Sequence, residues 1–156
     1  GVLVIAGTGS IACGRDREGR FMRVGGWGYL VGDEGSGFWI GREAIRATLS
    51  AEEGWGEATL LRKMLADTFG TNDSGEWLSA LYRTQNPQSL LAQIAPLVSE
   101  AAEQGDAQAK GILLTAADHL AGLVVHLAQH LHLPEDFPVC TPVEGALLVA
   151  QRMMWA

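Results

Sequence analysis

Cysteine is scarce in this 156-residue chain: only Cys13 and Cys140 are present, far apart and in no CxxC pair. That spacing excludes the common zinc and iron–sulfur motifs and sets a reduced, cytoplasmic environment as the expectation. Basic residues are few as well, 11 against 18 acidic, for a net charge of −7. Sequence-independent nucleic-acid binding and attachment to anionic membranes both draw on clustered cations, so neither partner is expected. No basic segment followed by an apolar run occurs, and no signal peptide is read. No internal repeat or low-complexity linker interrupts the chain. An unbroken apolar run of membrane-spanning length is also missing. The most apolar stretch, 111–133, is broken by Asp118, His119, His126, Gln129 and His130, which suits a buried core helix.

What is there is a globular composition, 47% hydrophobic and 19% charged, long enough for one domain with a real core. Val2 to Ala6 is a continuous apolar run between Gly1 and Gly7, which reads as a buried strand. Because this strand opens directly at Gly1, further residues are expected to precede it. Two strand-like runs, 11–15 and 21–24, flank the charged turn Asp16-Arg17-Glu18-Gly19-Arg20 and predict a hairpin. A glycine-dense loop follows over 25–37. From Phe38 onward the pattern is helical. The spacing predicts a helix through Ile40, Ala44, Ile45 and Leu49 capped by Ser36 or Gly37, then helices over 57–69, 74–83, 87–104 and 106–133. A short strand is expected within 137–140 and a last helix over 144–155. Strands first and helices later give an α/β or α+β class.

Two segments carry chemistry. Gly7-Thr8-Gly9-Ser10 follows the first strand directly; its glycines let main-chain N–H groups converge on an anion, and Thr8 and Ser10 add hydroxyls. A hairpin rather than a helix comes next, so this is neither a Walker loop nor a dinucleotide fingerprint. An ordinary tight turn explains the tetrapeptide equally well when it is taken alone. In the second segment, Trp27 among glycines is available to stack on a sugar face, and Asp33 can accept two hydroxyl hydrogen bonds. The competing explanation makes Trp27 a core plug and Asp33 a helix cap.

Taken together, the strand, G-T-G-S, the hairpin and Gly25-Gly26-Trp27-Gly28 with Gly32-Asp33-Glu34-Gly35-Ser36 resemble the N-acetylglucosamine kinases and their BadF-type ATPase relatives, of the actin/sugar-kinase/Hsp70 superfamily. The stretch from Ile94 to Asp106, ending A-A-E-Q-G-D, and Pro142 to Ala150, P-V-E-G-A-L-L-V-A, are similar to two further stretches of that family. The resemblance implies an α/β fold: the C-terminal lobe of an actin-like (ribonuclease H-like) ATPase, a small mixed sheet flanked by many helices, spanning residues 1–156. It implies an ATP-dependent kinase acting with Mg²⁺ on an amino sugar, most similar to those phosphorylating N-acetylglucosamine at O6. Gly7, Thr8 and Gly9 fall where the family contacts ATP. Ser10, Ile11, Gly26, Trp27, Gly28 and Asp33 fall where it contacts sugar, Ile11 through its backbone, while Glu34 holds the loop or its helix start. Members often form homodimers, and a homodimer is carried here as an implication.

The departures from the family pattern are also specific. Its first phosphate loop is absent, and its catalytic aspartate, the general base on the sugar hydroxyl, is expected upstream of Gly1, so no catalytic residue is assigned here. The isolated lobe is expected to be inactive. The family has an adenosine loop and a helix where Cys140 here runs straight into Thr141, so residues are expected to be missing between those two. A BadF-type ATPase and a non-catalytic sugar sensor on the same fold are the alternatives. Elsewhere, His126 and His130 stand at i, i+4 without a clear third ligand and are read as partly exposed structural residues rather than a zinc pair. Glu52, Glu53 and Glu57 read as a solvated face, Trp39, Trp55 and Trp77 as core or interface, and Cys13 and Cys140 as buried small hydrophobes.

Overall fold

A computed structural model describes residues 1–141. The expected last helix over 144–155 and the stretch from Pro142 to Ala150 lie outside the described residues.

Strand β1 (Val2–Ala6) buries Val2, Val4 and Ala6 on one face and turns Leu3 and Ile5 to the other, the period-two alternation of a strand. Strand β2 (Ser10–Arg15) pairs with it antiparallel in the register Val4↔Ala12, and β3 (Phe21–Gly25) pairs with β2 in the register Cys13↔Arg23. The hairpin between β2 and β3 closes at the predicted charged turn, where Arg20 N–H donates to Asp16 Oδ1 at 2.9 Å and the Arg20 guanidinium pairs with the other Asp16 oxygen. A two-residue strand, β4 (Val139–Cys140), lies parallel to β1 and completes a four-stranded mixed sheet of order β3-β2-β1-β4.

Six helices stand between β3 and β4 among the described residues: α1 (Gly37–Glu52), α2 (Leu61–Phe69), α3 (Ser74–Arg83), α4 (Pro87–Ala92), α5 (Ala95–Glu103) and α6 (Ala107–His130). Ser36 is the N-cap of α1, its hydroxyl accepting from Trp39 N–H at 3.2 Å. The single helix expected over 87–104 is two helices. Pro96 sits in the first turn of α5, where it has no N–H to give and its ring crowds the carbonyl four residues back; the helix therefore breaks at Gln93 and Ile94. Helix α2 begins at Leu61, four residues later than its apolar spacing predicts.

Asp106 is buried at the head of α6 and serves two helices. Its Oδ1 accepts Ala109 N–H at 2.8 Å, while Oδ2 accepts Leu60 N–H at 2.6 Å and the Thr59 hydroxyl at 2.9 Å. One carboxylate thus caps α6 and pins the entry to α2.

Helix α6 connects two hydrophobic cores. Its first half contributes Ala109, Leu113 and Ala116 to the helical core around Ile40, Leu65, Trp77 and Val98. Its second half lays Leu120 and Leu127, followed by Leu131, on Val2, Val4 and Ala12 of the sheet. By length and composition alone α6 would suffice to cross a membrane, with a mean hydropathy of 1.5. The polar residues along it therefore do not separate it from a span; its packing into both cores is what marks it as a core helix.

The expected burial of both cysteines is corrected. Cys140 is exposed and Cys13 only partly covered, because both belong to the sheet face opposite α6. Trp39 and Trp77 are core residues, whereas Trp55 is 73% exposed with its indole N–H on Glu53 Oε2 at 2.6 Å. Glu52, Glu53 and Glu57 are exposed as read, and Glu52 pairs with Arg62. His126 and His130 are exposed, with His130 Nδ1 at 2.9 Å from the His126 carbonyl.

Candidate functional site

The sheet ends at the turn Gly7-Thr8-Gly9, and the glycine-dense loop returns to that same end. Three sets of bonds close the loop on the turn. Gly37 N–H donates to the Gly7 carbonyl at 2.8 Å and Phe38 N–H to the Thr8 carbonyl at 3.3 Å, so the start of α1 is seated on the turn. Gly26 N–H donates to the Ser10 carbonyl at 3.0 Å. The Ser10 hydroxyl donates to the Glu34 carbonyl at 2.8 Å, and Ser10 N–H donates to Asp33 Oδ1 at 3.1 Å. Glu34 thus holds the loop through its main chain, with its side chain exposed.

Asp33 is the centre of this arrangement. It is only 8% exposed and adopts φ 66°, the left-handed region that a non-glycine residue seldom occupies. That conformation turns its carboxylate back over the first segment. The carboxylate lies flat against Gly9, where a Cβ would come within 2.8 Å of Oδ2. Oδ1 is committed to Ser10. Oδ2 has no protein partner; since no buried side-chain oxygen or nitrogen among the described residues lacks a partner, this oxygen reaches the surface. Asp33 is therefore not the cap of α1, which is Ser36.

Helix α6 supports the loop from below. Gly35, at φ 78°, is the contact point: a Cβ there would come within 2.6 Å of the Ala116 carbonyl and 2.8 Å of Leu120 Cγ. Only glycine meets both the dihedral and the approach. Tyr29 anchors the loop's middle through an edge contact with Phe38, ring centroids 5.5 Å apart.

Other groups face outward. Thr8 is exposed, and its N–H, its hydroxyl and Gly9 N–H donate to nothing among the described residues. Trp27 is 70% exposed and is not a core plug. The Arg23 guanidinium lies over its ring, 5.3 Å from the centroid. Ile11 is half-buried with its side chain packed under Gly26, so its main chain is the part it can offer. The residues singled out in the sequence, Gly7, Thr8, Gly9, Ser10, Ile11, Gly26, Trp27, Gly28 and Asp33, all lie in this turn, the start of β2 that follows it and the glycine-dense loop. Sequence reasoning missed Arg23 and the Gly35–α6 contact. The alternation of β3 was the available signal for the first; nothing local signalled the second.

The whole chain, residues 1–156, matches the sequence profile of the BadF/BadG/BcrA/BcrD ATPase family. It is 36% identical over 147 residues to the N-acetylmuramic acid/N-acetylglucosamine kinase of Clostridium acetobutylicum, covering 94% of this chain and 48% of that protein. It is 38% identical over 143 residues to the N-acetyl-D-glucosamine kinase of Dictyostelium discoideum, covering 89% of this chain and 44% of that protein. A solved structure from Chromobacterium violaceum, provisionally named an N-acetylglucosamine kinase, superposes with a TM-score of 0.80 at 30% identity over 97% of this chain and 50% of that one. One from Porphyromonas gingivalis shares the fold, with a TM-score of 0.74 at 24% identity over 99% of this chain and 50% of the other. The actin-like fold expected from the sequence, a small mixed sheet with many helices, is the fold of these neighbours. The chain spans about half the length of the curated relatives it matches. On the strength of a match along its entire length, the chain belongs to the BadF/BadG/BcrA/BcrD ATPase family.

Proposed function

We propose that this chain is the sugar- and phosphate-contacting C-terminal lobe of an ATP-dependent amino-sugar kinase, and that N-acetylglucosamine is the acceptor, phosphorylated at O6. The observation that carries the reading is Asp33: a carboxylate with one oxygen locked on Ser10 N–H and the other open, in the same loop as an exposed indole. A charged acceptor held by its own fold is suited to binding sugar hydroxyls. The names of relatives at 36% and 38% identity support the same substrate class.

In this reading Asp33 accepts a sugar hydroxyl, and the main chain of Ser10, Ile11, Gly26 and Gly28 together with Trp27 shapes the rest of the sugar's bed. Gly7, Thr8 and Gly9 receive the nucleotide phosphates: the unpartnered N–H groups of Thr8 and Gly9 and the Thr8 hydroxyl form a donor set that fits an anion. ATP supplies the transferable phosphoryl group, and the chain's part in the transfer is positioning and neutralisation. The described residues contain no group of three or more His, Cys, Asp or Glu side chains that would cage a metal; Mg²⁺ would be carried chiefly by the nucleotide phosphates, whose charge it would neutralise. The general base is proposed to be an aspartate on the other lobe, and closure of the two lobes to exclude water. We further propose a cytoplasmic homodimer, and a segment between Cys140 and Thr141 in the natural protein. A natural peptide in which Thr141 directly follows Cys140 would contradict that segment.

The test is ADP release by the full-length gene product with ATP, Mg²⁺ and separate amino sugars. ADP formation that depends on N-acetylglucosamine is expected. ADP release indifferent to every sugar would instead make it an ATPase of the BadF type, and sugar binding without turnover a sensor.

A further inference from the structure

We infer that Arg23 is a positioning residue for the Trp27 indole, and through it for the sugar; the inference rests on the sugar-binding reading of the loop. Strand β3 alternates, and its register with Cys13 puts Arg23 on the sheet face opposite α6. The chain then turns at Gly25 and Gly26, both at positive φ, and brings Trp27 back beside the strand it has just left. The Arg23 guanidinium covers one face of the ring at 5.3 Å from the centroid. Trp27 remains 70% exposed, so its outer surface is available for a ligand.

Charge accounting makes the pairing notable. The chain carries 18 acidic residues against 11 basic ones, yet Arg23 has no carboxylate within ion-pair distance among the described residues. Arg42 and Arg62 also lie over rings but are tied to a glutamate as well, whereas Arg15, 5.9 Å from the Phe21 centroid, shares with Arg23 the lack of a carboxylate partner. Arg23 has the indole alone. A flat cation on one ring face restricts the rotation of an otherwise loose tryptophan and leaves the opposite face presented. Sugars offer such a face an apolar patch of C–H groups, so a fixed indole lowers the ordering cost of binding.

The test uses the full-length protein. Arg23→Ala is expected to raise the KM for N-acetylglucosamine about threefold to fivefold, the range of an exposed cation–π pair, with the KM for ATP and the thermal midpoint unchanged. Arg23→Lys, which keeps a cation over the ring, should restore most of the loss. In a Trp27→Leu background, where no ring remains for the guanidinium to cover, Arg23→Ala should cost clearly less than it does alone. Additive losses, a matching rise in the KM for ATP, or a lysine variant no better than alanine would overturn the inference while leaving the kinase reading standing. An unmutated protein without turnover on any amino sugar would overturn that reading, and this inference with it.

Discussion

The carboxylate of Asp33 accepts the main-chain N–H of Ser10 at 3.1 Å, across 23 residues of chain. This bond joins the turn after β1 to the glycine-dense loop and decides where the open Oδ2 points. It also uses a strained backbone, φ 66° at Asp33, which the surrounding contacts must hold in place.

Gly9 is the most sensitive neighbour of that bond. A Cβ at Gly9 would meet Asp33 Oδ2 at 2.8 Å and Cγ at 3.0 Å, so the carboxylate or the turn beneath it must shift. Gly9→Ala is expected to displace the carboxylate from Ser10 and cost about 1–3 kcal/mol, the range for a buried hydrogen-bonding group deprived of its partner. Urea denaturation of this chain measures it; an unchanged midpoint would show that the carboxylate moves freely.

The tryptophans are predicted to differ sharply. Trp77 is fully buried, stacked on Phe69 with centroids 5.6 Å apart, and its indole N–H donates to the Thr71 carbonyl at 2.9 Å. Trp77→Ala should cost about 3–5 kcal/mol. Trp55, 73% exposed, should tolerate alanine within about 0.5 kcal/mol. Paired thermal melts check both.

The hairpin turn should carry a small acid-sensitive contribution. Its shielding from solvent acts to raise the Asp16 pKa, but the bonds from the Arg20 side chain and main chain outweigh this and hold it below its ordinary 3.8. A carboxyl lowered in the folded state adds stability that is fully present above 3.8 and is lost as pH falls through the lower folded value. Asp16→Asn should therefore be less stable than the parent at neutral pH, and the difference should shrink in acid. A difference that grows in acid would contradict the assigned sign.

Much of this was legible in the sequence, for local reasons. The hairpin could be read because a charged turn separates two apolar runs, and the Ser36 cap because a hydroxyl residue precedes the periodic stretch. The gathering of Gly7-Thr8-Gly9-Ser10 with Trp27 and Asp33 was legible only through a family likeness, since a bond between residues 10 and 33 leaves no periodic trace. What escaped depended on tertiary context. Pro96 broke a helix whose apolar spacing ran on unchanged. Trp55 and Trp77 share a residue type but differ in what surrounds them. Asp106, read only as the start of a helix, caps that helix and also holds Leu60 and Thr59, a long-range pairing that spacing does not encode. Gly35 is glycine because Ala116 and Leu120 approach it, some eighty residues further along the chain.

The measurement that bears most directly on the account is sugar-dependent ADP release by the full-length protein carrying Asp33→Asn, with the thermal midpoint taken in parallel. Asparagine tolerates the left-handed backbone and can still accept from Ser10 N–H, so the fold should hold within about 1 kcal/mol. The lost charge should raise the KM for N-acetylglucosamine about tenfold or more, with the KM for ATP little changed. An unchanged KM for the sugar in a folded Asp33→Asn protein would contradict the central claim that this carboxylate receives the sugar.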